Sequence, residues 1–176
     1  LGDVIGLTPF SHMAEAQARA VAPHIAYGVP TSFDRDQQIW ATFTDPELAR
    51  VGPDEKTARR HHRRIEVLRL DVGNADRAQA ERRTAGRAKV IVAGRRGKIL
   101  AAHLLAPHAG ELIQEWILAR RHGLRLDQLS NAIHVYPSWS MLNQRVADRR
   151  FRAWARHPRW RRWVRRLYGL VAWFRR

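Results

Sequence analysis

Ile133-His134-Val135-Tyr136-Pro137-Ser138 places an imidazole and a phenol two residues apart. In an extended chain the two-residue period sets such side chains on the same side. Both groups exchange protons, so the chemistry on offer here is acid-base chemistry. The other histidines carry less: His61-His62 stand in a basic run, His103 and His108 flank a strand end, and none is spaced with acids as metal ligands are. No metal site is therefore expected. The chain has no cysteine, so it contains no disulfide, thiolate metal site or redox-active Cys pair, and any thiol chemistry must come from outside it. It also lacks a Gly-x-Gly-x-x-Gly run, the usual dinucleotide cradle.

Three segments would position these groups. Residues 1–36 read as a turn, one helix and a linker. Asp3 and Gly6 precede a run from Ser11 to Ala22 rich in helix formers, with Thr8 or Ser11 as cap and Pro9 in the first turn, and Gly28-Val29-Pro30 stops it. From its residues alone this is an amphipathic surface helix. Residues 37–147 form the coherent domain. Alternating or apolar runs predict strands over 38–43, 65–70, 87–93 and 98–105, with a turn over 44–49, a short helix from Asp54 and a hairpin turn at Gly94-Arg95-Arg96-Gly97. Leu112, Ile113, Trp116 and Ile117 recur at helical spacing before Gly123, and a second helix is expected from Arg125 to His134. Strands gathered around helices, without the alternating repeat of a parallel sheet, predict an α+β fold: an antiparallel sheet with helices packed on one face.

Residues 148–176 form a tail. From Pro158 onward Trp160, Trp163, Val164, Leu167, Tyr168, Val171 and Phe174 recur at helical spacing, with Arg161, Arg162, Arg165 and Arg166 opposite. The spacing predicts a basic amphipathic helix. It suits an anionic membrane surface or packing on its own dimer, with stacking on nucleic acid bases a third use.

The 176 residues carry a formal charge of +16 with 45% hydrophobic content, enough apolar matter for a real core. Eleven arginines fall in residues 149–176, where no acid occurs, so the other 148 residues carry +5. The basic signal is mostly a tail, lysine occurs only at Lys56, Lys89 and Lys98, and no known recognition motif accompanies the charge. A nucleic-acid partner is therefore not expected. Neither a signal peptide nor an apolar run of membrane-spanning length is evident, so the default location is the cytoplasm, with the tail allowing peripheral attachment at the inner membrane surface. The chain opens on Leu1-Gly2-Asp3 rather than on methionine, as a truncated reading frame would.

Phe43-Thr44-Asp45-Pro46-Glu47 with Val51-Gly52, Ala88-Lys89-Val90-Ile91-Val92, Pro107-His108-Ala109-Gly110-Glu111 and Ile133 to Ser140 together resemble the C-terminal dimerisation domain of the pyridine nucleotide-disulfide oxidoreductases, the glutathione, lipoamide and mercuric reductase family. The resemblance covers residues 1–147 and implies a fragment of an FAD- and NAD(P)H-dependent homodimer, inert by itself. It implies that Gly2-Asp3-Val4 ends an FAD domain, with Asp3 binding the flavin's ribityl chain. The helix entered at Ser11 and His12 then points its amide-rich, electropositive end at the flavin ring.

In disulfide-reducing members the segment matching Tyr136-Pro137-Ser138 reads His-Pro-Thr, followed after two residues by a Glu that orients the His. Here those positions hold Tyr136 and Met141, so the His-Glu relay is absent, and no carboxylate is expected to orient His134. His134 is then a structural histidine or a substitute for the missing base. Tyr also occupies this position in the mercuric reductase branch, but that branch's C-terminal Cys pair is missing. The resemblance thus implies an unassigned branch with Tyr136 facing the partner's active site. The alternative is a free-standing interaction module, derived from such a domain and attached to a membrane or partners by its tail.

Overall fold

β5 (Lys98–Ala106) is the middle of the sheet, and its sequence shows why: six of its nine residues are buried, as expected for a strand covered on both faces. The computed structural model describes residues 1–6, 9–33 and 38–155, together with residue 164. Among the described residues five antiparallel strands occur in the order β1-β2-β5-β4-β3. The others are β1 (Ile39–Thr42), β2 (Glu47–Val51), β3 (Ile65–Asp71) and β4 (Arg87–Ala93). β4 and β5 form the hairpin expected at Gly94–Gly97, and both of those glycines adopt positive φ.

Helices α4 (Ala109–Arg121), α5 (Leu126–Ser130) and α6 (Met141–Ala155) supply one layer. Leu112, Ile113, Trp116 and Ala119 of α4, Leu126 and Leu129 of α5, and Leu142 and Val146 of α6 join Val51, Leu68, Leu70, Val90, Val92 and Leu104 of the sheet in one core. Fully burying each such aliphatic side chain stabilises the fold by about 1.5–3 kcal/mol. α2 (Glu55–His61), capped by the Asp54 side chain on the Thr57 amide, lies with Ala58 against Ile91, Leu100 and Ala101 on the opposite face. α3 (Asp76–Ala80) follows β3 and closes the end of the main core through Ala78. The α+β fold with an antiparallel sheet is as expected, with the main helices on one side.

Several local expectations give way. Glu47–Ala49, read as part of a turn, instead belongs to an inner strand, Glu47–Val51, paired with β1 on one side and β5 on the other. Asp45-Pro46 does turn the chain, but only as far as Pro46. The helix expected over 125–134 is five residues long and ends at Ser130. α6 runs through the boundary expected at residue 147, and its arginines belong to the fold: Arg145 pairs with Asp76, Arg150 Nε donates to Glu66 Oε2 at 2.9 Å, and Arg149 donates to the Arg69 carbonyl at 2.8 Å. The amphipathic helix expected from Pro158 lies outside the described residues.

α1 (Ser11–Tyr27) forms as expected and stops at Gly28, whose φ is 65°. Its cap is Phe10, without a side-chain hydrogen bond, and Ser11 is the first helical residue rather than the cap. Thr8 lies outside the described residues.

Candidate functional site

Tyr136 lies within residues 131–140, a segment that leaves α5 and reaches α6 without regular structure. Its ring is two-thirds exposed, next to Val135 at 78% and Ile133 at 99%. Ser138 shapes the bend at Tyr136-Pro137 by donating from Oγ to the Val135 carbonyl at 2.5 Å and pairing with Ser140 Oγ at 2.8 Å. His134 does not share that exposure, because its side chain is 6% accessible. The bend therefore defeats the same-side arrangement expected from an extended period.

The expectation that no carboxylate orients His134 is also overturned. Glu115 of α4 places Oε1 2.8 Å from His134 Nε2. Its other oxygen accepts from Asn143 Nδ2 of α6 at 2.8 Å, and Asn143 Oδ1 accepts from the Trp116 indole N–H at 2.7 Å. Asn143 also donates to the Leu112 carbonyl at 2.9 Å. Asn143 and Trp116 are fully buried, where unpaired polar atoms are costly, so all four residues are fixed by one another. Met141, at the resemblance's Glu position, contributes nothing polar to this network.

Glu115 and Asn143 went unmarked in the sequence, and Trp116 was marked only for its place in an apolar stripe. Trp116 sits in the apolar stripe of α4, and an Asn at position 143 among Leu142 and Val146 was the one available signal: a polar residue on a core face needs partners.

The expected cofactor residues cluster at the other end of the chain. Asp3 lies in a one-turn helix (Asp3–Ile5), fully displayed, and its carboxylate has no partner among the described residues. Gly2 N–H donates to Gln17 Oε1 at 2.6 Å, which seats this turn along α1. At the α1 N-terminus the amides of Ser11 and His12 have no acceptor among the described residues, and both side chains are exposed. His12 is partly committed: Nε2–H donates to the Ile39 carbonyl at 2.8 Å, and its ring stacks on Phe10, which stacks on Trp40. A free carboxylate and two uncapped amides fit a ligand carrying hydroxyls and developing negative charge, as FAD does. No hydrogen bond or ion pair joins Tyr136 or His134 to Asp3, Ser11 or His12.

His103 lies on the opposite sheet face from α4 and is pushed down to about 4 by burial, reinforced by Arg50 and Lys89, while Pro53 and Asp54 pull the other way. Its Nε2 is buried without a partner. Hydrogen bonds from Thr57 hold the Asp54 carboxylate below its ordinary range, and Arg77 does the same for Glu81. No cluster able to hold a metal ion occurs among the described residues.

The profile of the pyridine nucleotide-disulphide oxidoreductase dimerisation domain matches residues 38–145. The dihydrolipoyl dehydrogenase of Corynebacterium glutamicum is 32% identical over 144 residues, 80% of this chain and 30% of that protein. That of Haloferax volcanii is also 32% identical, over 78% of this chain and 29% of that protein. Among solved structures, the Cu(II) complex of the HOCl-induced flavoprotein disulfide reductase RclA from Escherichia coli superposes with a TM-score of 0.76 at 29% identity. The match covers 84% of this chain and 34% of that one. The chain thus spans about a third of the length of the relatives it matches. The profile match over residues 38–145 and the identity to these relatives show that the chain belongs to the pyridine nucleotide-disulphide oxidoreductase family, in the part that forms its dimerisation domain.

Proposed function

We propose that this chain is the interface portion of a homodimeric, FAD-dependent NAD(P)H oxidoreductase that works without the family's His-Glu relay. The observation that carries the reading is the projecting segment at residues 133–136. Ile133, Val135 and Tyr136 expose apolar surface on a segment pinned to the fold through buried His134. Exposed apolar side chains on a pinned segment favour coverage by a partner, and a second copy of the chain is the occupant the family favours. When bound, FAD supplies the two-electron exchange with NAD(P)H. Asp3 would accept hydrogen bonds from the cofactor's hydroxyls, the Ser11 and His12 amides would face its negative charge, and Tyr136 would offer Oη as a proton-holding group across the interface.

Tyr136 and Met141 replace both members of the relay, and His134 is turned into its own domain. The proposed reaction therefore does not route thiol protons through an imidazole at the interface. The 1–36 segment reads as the end of the FAD-binding part and 37–147 as the dimerisation domain, which α6 extends to residue 155, with the residues after it as an appendage. No helix among the described residues is long and apolar enough to cross a membrane. A cytoplasmic site of action, with the tail at an anionic membrane surface, is the corresponding proposal for location.

The test is the protein as its gene expresses it, purified without detergent, sized and scanned for absorbance. A dimer with flavin bands that bleach on adding NADH or NADPH supports the reading. A colourless monomer of this chain's size overturns it in favour of an interaction module. In the flavoprotein, Tyr136→Phe should lower turnover while flavin content and dimerisation persist, and unchanged kinetics would remove Tyr136 from the mechanism.

A further inference from the structure

We infer that His134 is a positioning residue held as an imidazolium, which donates from both ring nitrogens and clamps the segment that projects Tyr136. Nε2 faces Glu115 Oε1 at 2.8 Å, and Nδ1 faces the Ala132 carbonyl oxygen at 2.9 Å. A neutral imidazole has one donor and one acceptor nitrogen. In this setting it would turn a lone pair towards one of two oxygens.

The surrounding donors decide where the extra proton resides. Trp116 Nε1–H can only donate, so Asn143 must present Oδ1 to it, and the Asn143 NH2 is thereby turned to Leu112 O and Glu115 Oε2. Glu115 consequently receives a donor on one oxygen and the ring on the other, an arrangement that stabilises the carboxylate. With the Ala132 carbonyl on one ring nitrogen and this carboxylate on the other, both nitrogens face acceptors, and both therefore carry protons. From α6, the other groups packed here are neutral: Asn143, and Gln144, whose Nε2 donates to the Ala132 carbonyl at 2.9 Å. Glu115 is the charged side chain paired with the ring among the described residues.

The clamp acts on Tyr136 through the chain. His134 fixes one side of Val135, while the Ser138 hydroxyl bound to the Val135 carbonyl fixes the other, so Tyr136 has anchors two residues away in each direction. With His134 at 6% exposure and Tyr136 at 66%, the anchor is inside and the phenol outside. What Tyr136 then does rests on the oxidoreductase reading. The charge on the ring does not.

Histidine-selective 15N labelling of the whole protein at pH 7 tests the inference, with His134 assigned by its loss in His134→Gln. Two protonated ring nitrogens are expected. Glu115→Gln should remove one, because the glutamine amide can accept from Asn143 and donate to Nε2 of a neutral ring. A neutral His134 in the unaltered protein overturns the inference, whether or not the Glu115→Gln protein folds. An unchanged ring in folded Glu115→Gln overturns the role of Glu115. These spectra do not depend on flavin content, so their failure is separable from failure of the oxidoreductase reading. In the flavoprotein, Glu115→Gln should lower turnover several-fold in the presence of Tyr136 and cause no further loss in Tyr136→Phe. Additive losses would show that the clamp does not act through Tyr136.

Discussion

Replacing Asn143 by alanine should cost this domain about 2–4 kcal/mol of stability, and the hydrogen bonds around it explain the size. The residue is wholly buried and bridges α4 to α6. Truncation orphans the Trp116 indole N–H in a site with no solvent, which costs about 1–3 kcal/mol. The lost amide leaves a small void, worth about another 1 kcal/mol. Glu115 loses a donor too, but its side chain is 32% exposed, so water replaces most of that bond. The Leu112 carbonyl retains its place in α4. The assay is urea unfolding at pH 7, comparing midpoints between proteins of equal slope. Trp116→Phe in the same background removes the orphaned donor, so the double variant should recover roughly 1–2 kcal/mol relative to the sum of the single losses. A loss below about 1 kcal/mol for Asn143→Ala, or strict additivity with Trp116→Phe, would refute the view that this network holds the two helices together.

Gly86→Ala should destabilise by roughly 3 kcal/mol or more, since φ is +122° and an added Cβ would lie 2.0 Å from the Leu105 carbonyl oxygen. A thermal midpoint within error of the parent would contradict the packing described there. His103, with its depressed value in the fold, titrates at about 6.5 when unfolded and at about 4 when folded. The stability it contributes is complete above pH 6.5 and is lost as the pH falls towards 4, because the unfolded chain binds the proton first. The unfolding free energy should therefore fall more steeply across that window than in His103→Leu, and parallel pH curves would exclude burial of a neutral His103.

Period and punctuation made most of the sheet legible. Ile65–Asp71 alternates and Arg87–Ala93 carries an apolar run, and the two-residue period puts Leu68, Leu70, Val90 and Val92 in the main core while Ile91 faces the smaller cluster on the other side. Glu47–Val51 was hidden because Asp45-Pro46 is a strong turn signal and Glu-Leu-Ala-Arg reads as helix-forming. Pairing with β1 on one side and β5 on the other outweighs that weak local preference. Conversely, the short α5 shows periodicity extended too far, past the point where Asn131 and Ala132 lose a face to pack against.

The candidate site divides along the same line. Tyr136 and its neighbours were visible because a motif is a local string, and so was the absence of cysteine from any chemistry the chain could support. The partners of His134 were not, since Glu115 lies 19 residues upstream on a different element and Asn143 follows on a third. Along the chain the relay position reads Met141, and a carboxylate is missing. In three dimensions Glu115 of α4, held by Asn143 of α6, delivers one. Residue types and short spacings determined which elements form and which groups could exchange a proton. Only the packing of those elements decided which groups meet, because a hydrogen bond needs its atoms within about 3 Å, and sequence separation places no bound on that distance.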